Sequence, residues 1–235
     1  MKKRESHDYR AARLYALDRA RSSQCRPWPW LRRQSTLRRV LTPTSSQAGA
    51  TRRTLDIGCG REKLPGALGL DKNPRSDADI IHDLDQRPWP LDADSFDYVR
   101  AQDVLEHVDD FFGVMEEIYR VCRDGALVEV RMPFMSSLHF ATDPTHRRAG
   151  TSASFDYFDP RLPLGRYQYS TAHFEKVKFV YGRFHPGVIG KVFQVLDTVV
   201  VPLCQRFPRG YEHFFAYVYP MHDVTYTLRA VKQSG

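Results

Sequence analysis

From Arg53 onward, short apolar runs alternate with stretches of helical periodicity, the pattern of βαβ units. Thr54 to Ile57 predicts a buried strand that runs into a glycine turn. Ala67 to Leu70 predicts a second strand closed by Asp71, and Asp79 to His82 a third closed by Asp83. Phe96 to Ala101 is the fourth. Over Val108 to Cys122, Phe111, Phe112, Met115, Ile118, Tyr119 and Cys122 recur at three- and four-residue spacing, which predicts a helix. Arg123-Asp-Gly125 is expected to stop it as a C-cap. A fifth strand follows over Ala126 to Met132, ended by Pro133, and Phe174 to Tyr181 and Val224 to Val231 alternate as two more. Between these last two, Val188 to Phe207 reads as helix at least as far as Pro202. No internal repeat is visible. The expectation is a doubly wound α/β domain.

The first fifty residues have a different texture. Residues 8 to 21 have helix-forming composition with a weak apolar face of Tyr9, Leu14, Tyr15 and Leu17. Arg26-Pro-Trp-Pro-Trp30 and the Pro-, Ser- and Thr-rich run from Thr42 to Ala50 then break regular structure. The division expected is a basic, flexible arm over 1–50 and a domain over 51–235 with a C-terminal helical insertion around 188–207. Charge sharpens this division. The net charge of +7 comes from the arm, where 12 Lys or Arg face only Glu5, Asp8 and Asp18; the remainder is slightly acidic. An electrostatic grip on nucleic acid by the domain itself is therefore not favoured. The four cysteines lie far apart without CxxC pairing, which argues for reduced thiols in a cytoplasmic protein. Met1 to Ala20 is too charged for a signal peptide, and Val192 to Cys204 is too short and too polar to span a bilayer.

Candidate chemistry starts at Leu55-Asp-Ile-Gly-Cys-Gly60, where two glycines follow a strand end. Glycine there permits a sharp turn and a close approach of backbone N–H groups to a ligand. A lone GxG is weak evidence, but acids follow at successive strand ends, which line the ligand crevice of an open parallel sheet. Asp71 can accept from both hydroxyls of a ribose, and Asp83 from an exocyclic adenine amine, with Leu84 against the ring or offering its backbone. Only ten residues separate Gly60 from Asp71, and Lys63 replaces the third glycine of the dinucleotide fingerprint. The first crossover is thus too short for the helix that cradles a pyrophosphate.

Leu55-Asp-Ile-Gly-Cys-Gly60, Gly69-Leu-Asp71, His82-Asp-Leu84, Ser95-Phe-Asp-Tyr98 and Val104-Leu-Glu-His-Val108 resemble the successive motifs of class I methyltransferases of the type 11-like kind. The resemblance covers residues 53 to about 160. It implies a Rossmann-like, mostly parallel seven-stranded sheet with an antiparallel last strand, and S-adenosyl-L-methionine as cofactor. It also implies that Gly58, Cys59 and Gly60 form the loop under the methionine part, oriented by Asp56. Asp71 would hold the ribose, Asp83 and Leu84 the adenine, and Gln102 would face the methionine end. Phe134 to Phe158, with Asp143-Pro-Thr-His146 and Ser154-Phe-Asp-Tyr157, is similar to a subgroup associated with bacterial polysaccharide and sugar modification.

Methyl transfer from a sulfonium requires in-line alignment, and removal of a proton when the acceptor is a hydroxyl. His107, His139 and His146 are the candidate bases. A metal is an open alternative, because on a helix Asp103, Glu106 and His107 would share one face, with His139, Asp143 or His146 as a further ligand. No Asn/Asp-Pro-Pro-aromatic motif follows strand four, and no Pro-Cys nucleophile is present. A hydroxyl or carboxyl oxygen of a small molecule or glycan is then the leading acceptor class, with carbon open. Two rivals remain: an RNA ribose methyltransferase gripping phosphates with the arm, and a catalytically inactive binding module. The oligomeric state is not legible in the sequence.

Overall fold

The computed structural model describes residues 52–183 and 187–232. The expected arm, with its helix over 8–21, lies outside them. Seven strands form one sheet in the order β3-β2-β1-β4-β5-β7-β6. They are β1 Thr54–Ile57, β2 Leu68–Asp71, β3 Ile80–Ile81, β4 Phe96–Gln102, β5 Cys122–Pro133, β6 Phe174–Gly182 and β7 Asp223–Ala230. β1 pairs in parallel with β2 and β4, and β7 lies antiparallel between β5 and β6. The mostly parallel seven-stranded sheet with an antiparallel last strand is therefore present.

The central strands owe their apolar runs to burial on both faces. Leu55, Ile57, Leu70, Val99, Ala101, Val128 and Val130 are fully inaccessible. The helix α1, Phe111–Val121, presents Val114, Met115, Ile118 and Val121 to this core at the spacing its sequence predicts. Its ends differ from expectation. The helix starts three residues beyond Val108, because Asp110 caps it by accepting from the Gly113 N–H at 3.0 Å. Arg123-Asp-Gly125 is no C-cap: Cys122 is already extended and begins β5 opposite Phe96. Gly125, at φ +74°, instead sits where the register between β4 and β5 shifts, a strand irregularity that calls for glycine as strongly as a helix end does.

Beyond β5 a long connection carries a short helix, α2 Leu138–Thr142, and 3₁₀ turns over Asp156–Phe158 and Leu164–Tyr167. Phe134, Phe155 and Phe158 anchor it, each buried, with Phe155 and Phe158 against Phe111 of α1. Between β6 and β7 lie α3 Gly187–Arg206 and α4 Pro208–Phe214. The α3 helix continues through Pro202 for another turn, past the point where the sequence alone secured it. Val195, Val199, Leu203, Phe207 and Phe214 of this insertion are exposed. Among the described residues, no helix is long and apolar enough to cross a membrane.

Candidate functional site

The carboxyl ends of β1, β2 and β4 open onto a cleft of about 710 Å³. One wall is made by Gly58, Asp71, Asp83, Leu84 and Asp85, the other by Asp103, Val104, His107 and, from the connection after β5, Pro144, Thr145 and Arg147. Parallel strands place their ends, and so these residues, on one rim of the sheet.

The glycine turn is held from beneath. Gly58 and Gly60 adopt φ +61° and +54°, and the Gly58 N–H donates to the Leu70 carbonyl at 2.7 Å. Asp71 accepts from the Gly60 N–H at 2.8 Å and the Asn73 N–H at 2.7 Å, one on each carboxylate oxygen. Each oxygen keeps a second lone pair. Asp56 is almost fully buried and does not reach the cleft. It receives a bidentate ion pair from Arg100 at 2.8 and 2.6 Å and accepts from the Leu64 N–H. Arg100 also donates to the Glu62 carbonyl, so this pair clamps the chain that follows the glycines. Cys59 points inward. Burial first, then Asp56 and Asp71, push its thiol up to about 11, which favours the protonated form. Gln102, at the end of β4, and Gly60 are half-buried and Cys59 is buried, and none of the three lines the cleft. The Leu84 carbonyl is taken by the Trp89 indole N–H at 3.0 Å, leaving its side chain to face the cleft.

The opposite wall departs from the sequence reading. Residues 103–107 form a turn, not a helix, so Asp103, Glu106 and His107 do not share a helical face. Asp103 takes a left-handed φ of +53° and pairs with Arg131 of β5. Glu106 points into the interior, fully buried, with neither carboxylate oxygen hydrogen-bonded. Burial, reinforced by the nearby Asp103 carboxylate, pushes it up to about 8. His107 alone of the three expected histidines lines the cleft. Its ring contacts the Thr145 hydroxyl at 2.8 Å through Nδ1, and burial followed by His146 holds its pKa below the usual value. His146 is turned inward, its side chain 3% exposed, with Nδ1 donating to the Phe140 carbonyl at 3.1 Å. His139 stacks on His222 at 5.2 Å.

Several participants carry no signal in the sequence. The Arg147 N–H donates to the Glu106 carbonyl, and the Arg148 guanidinium donates to the Leu105 and Val108 carbonyls. These bonds fasten the connection after β5 to the 103–109 turn and so build the second wall. Arginine in a long loop has no pattern that announces such a role.

The cleft has a charge preference. Asp71, Asp83, Asp85 and Asp103 outnumber Lys72 and Arg147 along its lining. Such a surface opposes the phosphates of a dinucleotide and suits a nucleoside that carries a positive sulfonium. The residues present thus fit S-adenosylmethionine.

Residues 29–174 match the methyltransferase domain family. No curated protein matches the chain. Among solved structures, a SAM-dependent methyltransferase from Archaeoglobus fulgidus is similar at 18% identity and a TM-score of 0.50, covering 77% of this chain and 86% of that one. An S-adenosylmethionine-dependent methyltransferase from Mesorhizobium loti is 17% identical with a TM-score of 0.42, over 83% of this chain and 97% of that one. With a match that spans more than half of its length and the strand order described above, the chain belongs to the methyltransferase domain family and has the class I S-adenosylmethionine-dependent methyltransferase fold.

Proposed function

We propose that the protein binds S-adenosylmethionine in this cleft and methylates an oxygen of a small molecule or glycan. The observation that carries the reading is the division of the cleft: carboxylates and a glycine turn on one wall, a neutral imidazole on the other. When bound, the cofactor supplies an electrophilic methyl group on a sulfonium with a neutral leaving group. The chain's own part is to position and to move a proton. Asp71 accepts from the ribose hydroxyls with its spare lone pairs, while the same carboxylate keeps the Gly60 turn in place. Asp83 and Leu84 receive the adenine. His107, uncharged near neutral pH, meets the acceptor hydroxyl, and Thr145 fixes its ring. The connection after β5 excludes water from the acceptor end.

The test uses the purified full chain with methyl-labelled cofactor and pooled sugars, small hydroxylated and carboxylated metabolites and RNA. Label transferred to oxygen of a small molecule or glycan, with release of S-adenosylhomocysteine, is the expected result. Label appearing only in RNA ribose, or tight binding of NAD in place of S-adenosylhomocysteine, would overturn it.

A further inference from the structure

Glu106 is the least expected group in the molecule. A carboxylate fully withdrawn from water is normally paired or hydrogen-bonded, because leaving it alone costs several kcal/mol in desolvation. Here both oxygens are without a partner. Arg131, whose charge acts on Glu106, is already paired with Asp103. Instead, Glu106 faces imidazoles. His146 Nε2 lies 4.0 Å from Glu106 Oε1, too far for a hydrogen bond, and the His107 and His146 ring centroids are 4.7 Å apart. One donor atom from each of Glu106, His107 and His146 lies within 4.8 Å of the other two.

The proton positions decide what this cluster can hold. A backbone carbonyl only accepts, so His146 must carry its proton on Nδ1 to meet the Phe140 carbonyl, which leaves Nε2 as a bare lone pair. The Thr145 hydroxyl donates to Asp143 Oδ1 at 2.7 Å, so toward His107 it can only accept. His107 therefore also carries its proton on Nδ1 and offers Nε2. Two imidazoles and the Glu106 carboxyl thus stand together, and the one donor they could muster, a proton on Glu106 itself, is not used: His146 Nε2 is 4.0 Å from Oε1, beyond hydrogen-bond reach. The three groups make no hydrogen bond to one another, and a cation placed among them would satisfy all three. Each imidazole has its other nitrogen fixed by an outer oxygen, as metal-bound histidines do.

We propose that Glu106, His107 and His146 form a binding site for a divalent transition-metal ion in the wall of the cleft. Two nitrogens and one carboxylate select zinc, iron(II) or cobalt over magnesium or calcium. Ligand distances of about 2.0–2.2 Å require the three donors to close to about 3–3.5 Å from one another. His107 and His146 ride on the turns at 105–107 and 143–146, outside the sheet. Asp143 Oδ2, 3.9 Å from His146 Nε2, stands at the solvent side as a further ligand. With the ion present, His107 serves as ligand, and the ion takes over contact with the acceptor oxygen. That last role rests on the proposed methyl transfer; binding of the ion does not.

The experiment is calorimetric titration of the chelator-treated full chain with zinc chloride, paralleled by the visible spectrum of cobalt(II). Binding of one ion is expected, with ligand-field bands and without a thiolate charge-transfer band. Glu106→Gln and His107→Ala should each weaken it at least tenfold. Thr145→Val, which frees the His107 ring, should cost about 10–100-fold, the usual effect of an outer-shell partner. His213→Ala, at an exposed histidine outside the cluster, should change nothing. Should Glu106→Gln fail to fold, His107→Ala and Thr145→Val carry the test. No binding at millimolar metal, a thiolate band, or variants that bind like wild type would overturn the site. Because binding is read directly, that failure would leave the methyltransferase reading standing.

Discussion

Gly58 and Gly60 share one turn and one backbone conformation, yet their surroundings differ, and alanine at each separates two costs that are usually confounded. At Gly60 a new Cβ meets nothing within 4 Å, so only the left-handed strain at φ +54° counts. That is about 1–2 kcal/mol for a residue with a side chain. At Gly58 the same strain at φ +61° is joined by a clash, because the Cβ would lie 2.4 Å from Val104 Cγ2 and 2.6 Å from Val104 Cβ. Overpacking of this kind costs about 1–3 kcal/mol. Gly58→Ala should therefore destabilise by about 2–5 kcal/mol, against about 1–2 for Gly60→Ala. Urea denaturation of both variants reads the difference. Val104→Ala removes the nearest clashing atom but leaves its own Cβ. The double variant with Gly58→Ala should be more stable than the two single costs predict, with a coupling of about 0.5–3 kcal/mol. Equal costs at both glycines, or strict additivity with Val104, would refute the reasoning. Since Gly58 and Val104 line the same cleft, Gly58→Ala should also weaken S-adenosylhomocysteine binding.

Asp71→Ala should weaken S-adenosylhomocysteine by about 1–3 kcal/mol in calorimetry, from loss of hydrogen bonds to a charged acceptor; unchanged affinity would remove the ribose assignment. Arg100→Met strands the buried Asp56 carboxylate with the Leu64 N–H alone and should cost about 3–5 kcal/mol in denaturant, partly restored by adding Asp56→Asn. A cost under about 1 kcal/mol would show that water replaces the guanidinium. His107→Gln should lower turnover by about 10²–10⁴-fold with cofactor affinity kept. His139→Gln should not, because His139 is not among the residues lining the cleft and its ring stacks on His222. Equal turnover of the two variants contradicts the placement of His107.

What could be read from the sequence is local or periodic. The strands β1, β2 and β4 show as apolar runs because both faces of the sheet are covered, and α1 shows because only one of its faces is. Boundaries fared worse wherever one residue type serves two purposes. Gly125 signals a left-handed backbone but not whether it ends a helix or kinks a strand; pairing of Cys122 with Phe96, a contact 26 residues apart, decides for the strand. The start of α1 is ambiguous in the same way, since Asp109 and Asp110 are adjacent and both suit a cap, while the structure uses Asp110.

The second wall of the cleft was beyond such reading for a stronger physical cause. Helical geometry over 103–107 predicts that Asp103 and Glu106 point the same way. The left-handed Asp103 breaks that geometry at its first residue, and Arg131, 28 positions away, captures the carboxylate. Glu106 is thereby turned inward. The space beside it is filled by His146, brought there by the Arg147 N–H on the Glu106 carbonyl and the Arg148 guanidinium on the Leu105 and Val108 carbonyls. None of these contacts has a spacing, because each joins residues whose separation depends on the length of the connection after β5. Local pattern thus groups Glu106 and His107, offers His146 only as one of three further candidates, and adds Asp103, which the structure turns toward Arg131 instead. Side chains that follow a strand end inherit their direction from the backbone angle of the first loop residue, and at Asp103 that angle is one only tertiary pairing selects.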